Sequence, residues 1–484
     1  MKLELIAPDL TGVDCDALLL VEFEASPRGE LAEALSTLRE SGEVTGKFLE
    51  LTLLHSPAGF KARRVLLAGA GKRGKFEIAS LWKLAAASAR LLKGKGAKKI
   101  AVVLEDGFDS PEHVSATVQA VIEASWEPDR LKTNADKDGS REIESLTICA
   151  AGSGLESAVA AGGIIGEAAN LTRDIAVEPP NKLTPMALAA RAQAMAKANG
   201  LSCEVLDQDR MRQLGMGALL GVAQGSAEPG AMVIIEYKPE KAASDARLAI
   251  IGKGVTFDTG GISIKPSEGM EKMKYDMCGA AAVIGAMQAI AQLRPSVSVT
   301  GVIPTVENMP GSKAQRPGDI VTSLSGKTIE ILNTDAEGRL ILADAITYAK
   351  QLGCTHLVNA ATLTGAIVVA LGNHQSGVFS NDDALLGRWM AAAKSAGEKM
   401  WHMPVDDEYR EMLKTVYADI GNVGGRAGGA SSAAAFIREF VGDTPWVHVD
   451  IAGTAWLDDA KPWMPKGPSA IPLGSFVKLA QEWK

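Results

Sequence analysis

Two carboxylates and one guanidinium stand close together in the octet Asn333–Leu340, which reads Asn-Thr-Asp-Ala-Glu-Gly-Arg-Leu. Asp335 and Glu337 are two residues apart, so in an extended turn both side chains can point into one cavity. An apolar strand pattern precedes the octet and helical spacing follows it. The pair is therefore either half of a metal site or an acidic turn that complements the dipole of the following helix.

A second polar cluster lies upstream, in the glycine-rich segment Gly252–Lys265. Its glycines let the backbone turn sharply, as a loop must when it directs Lys253, Asp258 and Lys265 toward one point. Asp276 stands just ahead of a predicted small-residue helix, where a lone aspartate is either the helix cap or a ligand. Taken as a lone residue, Asp276 is favoured as the helix cap.

Taken together, the acidic residues of these segments would place about four negative charges in one cleft, which is costly unless cations neutralise them. The four are Asp258, Asp276, Asp335 and Glu337. The six histidines lack the His-x-x-x-His and His-x-x-Glu-His spacings of the common one-zinc peptidases. A carboxylate site with a lysine indicates a two-metal centre, and oxygen ligands suit Mg, Mn or Zn.

Composition and charge narrow the class of protein. The chain has 484 residues, 46% hydrophobic and 22% charged, which is typical of a soluble globular protein of two or three domains. Its net charge of −8 argues against nucleic acid as the main partner. The cysteines form no Cys-x-x-Cys pair, and no secretory pattern or membrane-length apolar run is present. We therefore expect a cytoplasmic protein.

The alternation of strand and helix patterns predicts an α/β fold in two parts. Residues 1–165 are expected to form a small N-terminal α/β domain with a linker helix near its end. Residues 166–484 are expected to form a larger C-terminal α/β catalytic domain, with a central mixed sheet flanked by helices.

Three further motifs have structural interpretations. Gly69–Gly74 matches the dinucleotide-binding pattern formally but lacks the acidic residue about twenty positions on, so a plain glycine-rich turn after a strand is favoured. Gly326 and Lys327 fit a hairpin turn better than a phosphate loop. The glycine-rich run Gly421–Gly429 is interpreted as a loop beside the active site, and His448 as a core histidine.

The two polar segments resemble motifs of the leucyl aminopeptidases, also called the cytosol aminopeptidase or peptidase M17 family. The resemblance runs from about residue 165 to the C-terminus, and Glu178–Asn181 and Trp446–Ala455 fit it as well. The N-terminal part resembles the family only in general plan. The resemblance implies a metallo-exopeptidase that releases leucine and other mostly apolar residues from peptide N-termini. It also implies a homohexamer, with the N-terminal domain serving assembly or regulation.

The resemblance assigns a role to each site residue. The implied ligands of two divalent ions, Mn or Zn, are Lys253, Asp258, Asp276, Asp335 and Glu337. Lys265 would stabilise the oxyanion, and Arg339 would hold a bicarbonate acting as general base. The implied substrate-binding residues are Met273, Thr362, Leu363, Gly365 and Ala455. Because many family members carry a larger apolar residue at the position of Ala455, a shifted specificity is a hypothesis.

Two other functions stay open at the level of sequence. Carboxylate pairs also serve phosphoryl transfer, so a dinuclear phosphohydrolase is one alternative. A DNA-binding regulator as a second role is the other, and the acidic balance of the chain disfavours it.

Overall fold

The chain divides into two compact units in a computed structural model that describes residues 1–9, 11–24, 37–104, 107–133 and 142–483. The first unit comprises Met1–Asn170 and Asp458–Lys466, and the second comprises Leu171–Leu457 and Gly467–Lys484. Each unit packs helices against a mixed sheet, and the second is the larger. The predicted fold class is therefore confirmed.

The first unit is built on a six-stranded sheet. Its strands are β1 (Lys2–Ile6), β2 (Ala17–Phe23), β3 (Leu51–His55), β4 (Arg64–Gly71), β5 (Lys99–Val103) and β6 (Ser145–Cys149). They lie in the order β1-β6-β5-β2-β4-β3, and only β3 runs antiparallel to its neighbour. The helices are α1 (Ile78–Gly94), α2 (Pro111–Ala124) and α3 (Leu155–Ala176), the last of which continues into the second unit.

The glycines at the start of the dinucleotide-like motif lie inside strand β4, although the sequence pattern placed them in a turn after a strand. A Cβ atom on Gly69 would lie 2.0 Å from the carbonyl oxygen of Lys47. Glycine is thus required there because a neighbouring segment approaches the strand too closely for any side chain.

The second unit carries the remaining strands. They are β7 (Ser202–Leu206), β8 (Ala231–Tyr237), β9 (Arg247–Gly252), β10 (Gly254–Asp258), β11 (Ser298–Asn308), β12 (Ile320–Thr322), β13 (Thr328–Glu330), β14 (His356–Ala361), β15 (Ser376–Ser380), β16 (Met400–His402), β17 (Ile420–Gly421), β18 (Trp446–Asp450), β19 (Trp456–Leu457) and β20 (Gly467–Pro468). The central sheet has the order β16-β15-β18-β14-β9-β11-β8-β7, with β10 also paired to β11.

The helices of the second unit cover this sheet. They are α4 (Pro185–Ala198), α5 (Gln208–Leu214), α6 (Gly217–Ala223), α7 (Cys278–Leu293), α8 (Glu337–Gln351), α9 (Gly365–Leu371), α10 (Asp383–Ser395), α11 (Asp407–Glu411), α12 (Gly429–Val441) and α13 (Leu473–Gln481). Within the described residues, Met270–Leu293 is long and apolar enough to span a membrane. Because 78% of its most apolar window is buried inside the protein, it has the character of a core helix.

Three parallel strands of the central sheet end side by side. Ala360 on β14 pairs with Gly252 at the end of β9, and Ala361 pairs with Asp450 at the end of β18. Strand β10 continues past this edge along β11 and ends at Asp258. Polar residues that follow these ends therefore gather at one edge, where ligands bind in open α/β sheets.

The acidic octet follows a strand of a separate, smaller sheet. Strand β13 pairs antiparallel with β12 and parallel with β17, and no register pair among the described strands joins it to the central sheet. The predicted hairpin between β12 and β13 is confirmed, with Gly326 at φ +86° in its turn. The octet thus connects a strand of the smaller sheet to helix α8.

Candidate metal centre

A buried lysine joins the glycine-rich segment to the octet. Lys253 stands in the break between β9 and β10, and its Nζ lies 2.8 Å from Asp276 Oδ2 and 2.7 Å from Glu337 Oε1. The same nitrogen donates to the carbonyl of Thr362 at 2.9 Å. A Cβ atom on Gly338 would lie 2.7 Å from Lys253 Cε, so only glycine permits this approach.

A second lysine joins the other carboxylates. Lys265 Nζ lies 2.8 Å from Asp258 Oδ2 and also forms an ion pair with Asp335. The other oxygen of Asp258, Oδ1, accepts hydrogen bonds from the backbone of Gly260 and from Asn308 Nδ2, both at 2.8 Å. The contacts of Lys253 and Lys265 define two groups, and the proximity of the Asp258, Asp335 and Glu337 oxygens joins them into one cluster.

The cluster has the donors that a divalent cation requires. Ligand oxygens of Asp258, Asp335 and Glu337 all lie within 4.8 Å of one another. The cluster sets four carboxyl groups against two ammonium groups in a mostly buried place, so excess negative charge accumulates there as the carboxyl groups ionise. Since hard cations prefer such oxygens, the residues present fit a metal site.

Burial and charge shift the protonation of these groups strongly. Burial raises the pKa of Asp335 to about 6 and raises that of Asp276 well above its ordinary value. Burial also acts on Glu337, but the charges of Lys253 and Lys265 outweigh it and lower the pKa of that carboxyl to about 2. The pKa values of both lysines are raised, because their carboxylate partners outweigh the effect of burial. Without a metal, both lysines are therefore charged.

Asp276 does not cap the helix that follows it. The N-cap residue of α7 is Met277, and its side chain makes no capping hydrogen bond. The Asp276 carboxylate instead turns toward the cluster, where its Oδ1 accepts from Thr362 Oγ1 at 2.7 Å. The ligand interpretation of Asp276 thus fits the geometry, and the cap interpretation does not.

A cavity of about 160 Å³ opens beside the predicted catalytic arginine. Arg339 is 7% exposed, burial lowers its pKa to about 10, and its Nη1 donates to the carbonyl of Asn422 at 2.8 Å. The glycine-rich run that was interpreted as a loop beside the site does line this cavity. Other lining residues include Asn333, Asp335, Leu363, Thr364 and Gly365.

The predicted substrate-binding residues divide between two locations. Leu363 and Gly365 line the cavity with Arg339, whereas Met273, Thr362 and Ala455 are absent from the described residues that line it. Thr362 instead contacts the metal cluster through Lys253 and Asp276. Ala455 is buried, and Met273 lies in the turn that leads to Asp276.

Comparison with known protein families decides the classification. The model of the cytosol aminopeptidase family, catalytic domain, matches residues 170–477, and that of its N-terminal domain matches residues 19–135. The chain belongs to the cytosol aminopeptidase family. It is 54% identical over the full length of both chains to a probable cytosol aminopeptidase of Solibacter usitatus, and 45% identical, again over both full lengths, to one of Koribacter versatilis.

Two solved structures share the fold of this chain. A variant of tomato leucine aminopeptidase matches with a TM-score of 0.90 and 32% identity, over 99% of this chain and 96% of the other. The bottromycin maturation enzyme BotP in complex with Mn matches with a TM-score of 0.87 and 32% identity, over 96% and 99% respectively. The protein is thus a peptidase, a hydrolase of the aminopeptidase type.

Several residues that support this aminopeptidase site were not identified from the sequence. Asp450, fully buried at the end of β18, accepts from Leu363 N at 3.1 Å and from Thr364 Oγ1 at 2.7 Å. It thereby holds the segment that lines the cavity, and burial raises its pKa to about 6. Asn308 and Asn422 also belong to this group. A polar residue at the end of a buried strand is the pattern that indicates Asp450 and Asn308.

Proposed function

We propose that the protein is a dinuclear metal-dependent aminopeptidase that releases leucine and other mostly apolar residues from the N-termini of peptides. The observation that carries this proposal is the meeting of Asp258, Asp335 and Glu337 with two lysines at one edge of the sheet. Membership in the aminopeptidase family supports the proposed reaction, and the cluster supports the proposed location of the site.

The ligands divide into two sets. Lys253, Asp258, Asp276 and Glu337 would hold one cation, and Asp258, Asp335 and Glu337 would hold the other. The similar enzyme BotP forms a complex with Mn, and Zn also accepts this donor set. Lys253 must lose its proton to serve as a ligand, and an adjacent dication disfavours the ammonium form.

Metal ions bound here would lower the pKa of a water molecule and polarise the scissile carbonyl. Side chains of the protein would stabilise the charge that develops during the reaction. Lys265 keeps its proton and directs its charge toward the oxyanion that forms during attack. Because Lys265 is already held by Asp258 and Asp335, its ammonium needs little reorganisation during the reaction.

Arg339 is proposed to hold a bicarbonate that acts as general base. Its guanidinium lines the cavity and keeps its charge at neutral pH even with a pKa of about 10. A planar guanidinium matches a planar anion such as bicarbonate in shape and charge. In this arrangement Arg339 would hold the anion, and the anion would supply a general base.

The substrate would use both groups of predicted binding residues. Leu363 and Gly365, on the cavity wall, would contact the peptide near Arg339, and Thr362 would align the segment between them and the metals. Met273 and Ala455 are proposed to bound the pocket for the first side chain. Peptide substrates follow from the family, whereas the preference for leucine is part of the proposal.

We also propose that the enzyme works in the cytoplasm as a homohexamer. The name cytosol aminopeptidase of its relatives supports the location. The family resemblance is the basis for the assembly, in which the N-terminal unit would take part. Mass measurement of the purified protein in solution tests the hexamer directly.

The proposed reaction is tested with the Mn-loaded protein on a panel of aminoacyl amides and on a phosphomonoester. We expect hydrolysis of leucyl amide and no turnover of the phosphomonoester, with loss of activity when the substrate amino group is acetylated. Turnover of the phosphomonoester alone would overturn the proposal, because it would assign the cluster to phosphoryl transfer.

A further inference from the structure

Two buried asparagines hold the acidic octet, one from each side. Asn308 is the last residue of β11 and is 2% exposed, and Asn422 follows β17 and is 0% exposed. Neither is a predicted ligand or catalytic residue. A buried amide is stable only when its hydrogen bonds are made, so their partners indicate what they position.

Asn308 faces the metal carboxylates. Its Nδ2 donates to Asp258 Oδ1 at 2.8 Å and to the carbonyl of Thr334 at 3.0 Å. One amide therefore ties the glycine-rich segment to the octet. Because Asp258 Oδ1 also accepts from Gly260 N, the oxygen directed toward Lys265 is Oδ2. The Asn308 amide therefore fixes which oxygen of the Asp258 carboxylate pairs with Lys265.

The backbone of Asn308 strengthens the same attachment. Its carbonyl accepts from the amide of Thr259 at 3.0 Å and from the hydroxyl of Thr259 at 2.7 Å. Thr334 in turn donates its hydroxyl to the carbonyl of Gly260 at 2.7 Å and accepts from Ser263 N at 2.8 Å. The side chain of Asn308 is thus anchored to a fixed backbone, as a residue that sets ligand geometry must be.

Asn422 contacts Arg339 through its backbone carbonyl. Its Oδ1 accepts from the amides of Leu332 and Asn333 at 2.8 and 3.2 Å, and its Nδ2 donates to the carbonyl of Asn333 at 2.6 Å. These bonds fix the backbone of Asn422, whose own carbonyl accepts from Arg339 Nη1 at 2.8 Å. The side chain of Asn422 therefore sets the position of the guanidinium through its own backbone.

We propose that these asparagines are positioning residues with separate duties, Asn308 for the metal carboxylates and Asn422 for the arginine. The proposal rests on the proposed function, in which those two groups bind different partners. It predicts that a change at Asn308 affects the metal carboxylates without affecting the arginine, and that a change at Asn422 does the reverse. Each asparagine then serves as the matched control for the other, since both are buried amides beside the same octet.

The test compares Asn308→Ala and Asn422→Ala with the wild-type chain. Mn²⁺ is titrated into each metal-free protein by calorimetry, and kcat and KM for leucyl amide are measured at saturating Mn²⁺. For Asn308→Ala we expect Mn²⁺ affinity to fall about tenfold or more, with most of kcat recovered at saturating Mn²⁺. For Asn422→Ala we expect unchanged Mn²⁺ affinity and a kcat about tenfold lower that excess Mn²⁺ does not restore.

Equal effects of the two variants on Mn²⁺ affinity and kcat, or no effect of either, would overturn the proposal. Thermal unfolding of each metal-free variant shows whether it is folded, and Asn308→Ser and Asn422→Ser replace any alanine variant that is not. The wild-type titration distinguishes a failure of the divided duties of Asn308 and Asn422 from a failure of the proposed function. If the wild-type chain binds no Mn²⁺, the metal site itself is wrong, whereas normal wild-type binding with indistinguishable variants contradicts only the division of duties.

Discussion

The ammonium nitrogen of Lys253 lies 2.7 Å from Glu337 Oε1, so one buried ion pair connects the break between β9 and β10 to the first turn of α8. This contact joins two segments that are far apart in the sequence. In the proposed enzyme both residues would bind the same cation, which requires Lys253 to lose the proton that it holds in this ion pair. The charge of Glu337 stabilises the Lys253 ammonium in the metal-free protein, and it would bind the cations in the metal-loaded protein.

Removing that charge is expected to inactivate the enzyme. Glu337→Gln keeps the shape of the side chain but loses the negative charge shared by both proposed cations, so metal affinity and activity should fall by at least ~100-fold. Metal content by mass spectrometry and leucyl amide hydrolysis measure both. Glu411→Gln, which alters an exposed carboxylate paired with Lys414, is the control. Full metal content with full activity in Glu337→Gln would contradict the ligand assignments.

Lys265 is expected to affect turnover more than substrate binding. In Lys265→Met the oxyanion loses its cationic partner, so kcat should fall roughly 100- to 1,000-fold with little change in KM. Mn²⁺ affinity should not weaken, because Asp258 and Asp335 lose a competing ammonium. Steady-state kinetics and Mn²⁺ titration of this variant, beside Lys313→Met at an exposed position, provide the check. A large rise in KM alone would assign Lys265 to substrate binding.

Ala455 is expected to influence the choice of the first residue. A methionine at this position would fill part of the proposed pocket, so hydrolysis of phenylalanyl amide should fall roughly tenfold relative to leucyl amide. Rates for leucyl, methionyl and phenylalanyl amides in Ala455→Met give the comparison. Leucyl amide acts as the internal reference for any general loss of activity. An unchanged order of preference would remove Ala455 from the specificity pocket.

A buried carboxyl outside the site makes stability depend on pH. Asp344 in α8 accepts from Leu324 N at 2.7 Å and Leu219 N at 2.8 Å, and burial raises its pKa to about 7 from 3.8. The folded state therefore binds this proton more tightly than the unfolded state does. Its stabilising contribution is present below about pH 4 and is lost as the pH rises to about 7. The loss is about 4 kcal/mol over this pH range.

Asp344→Asn tests this contribution, because the amide cannot ionise. Denaturant unfolding of both proteins from pH 4 to 8 should show a free energy of unfolding that declines less with pH in the variant. Subtracting one free-energy curve from the other removes the contribution of groups that titrate alike in both proteins. Parallel curves would show that Asp344 is already ionised in the folded protein at acidic pH.

The grouping of the site residues could be predicted from the sequence because their types and spacing are unusual. Charged residues among glycines, as in Gly252–Lys265, and an Asp-x-Glu pair ahead of a helix are costly to bury without a function. The fold class followed equally well from the alternation of strands and helices. The role of Asp276 could not be decided from the sequence because its partners, Lys253 and Thr362, directly follow the strands β9 and β14. Only the sheet register brings those partners together.

The supporting residues were harder to predict for a physical reason. Asparagine is common in turns and at strand ends, so Asn308 and Asn422 carry no distinctive local pattern. Their importance arises from contacts with Asp258, Thr334 and the backbone of Asn333, which only the folded chain supplies. The strand before the octet was predicted correctly, but its place in the small sheet depends on pairing with β17, far along the sequence.

One chain is proposed to bind two divalent cations at this cluster and to need them for peptide hydrolysis. The direct measurement is calorimetric titration of Mn²⁺ into protein stripped with a chelator, with leucyl amide hydrolysis followed in parallel. We predict two Mn²⁺ bound per chain and activity that is absent in the stripped protein and rises as these sites fill. Full activity in the stripped protein, or a single site per chain at saturation, would contradict the account.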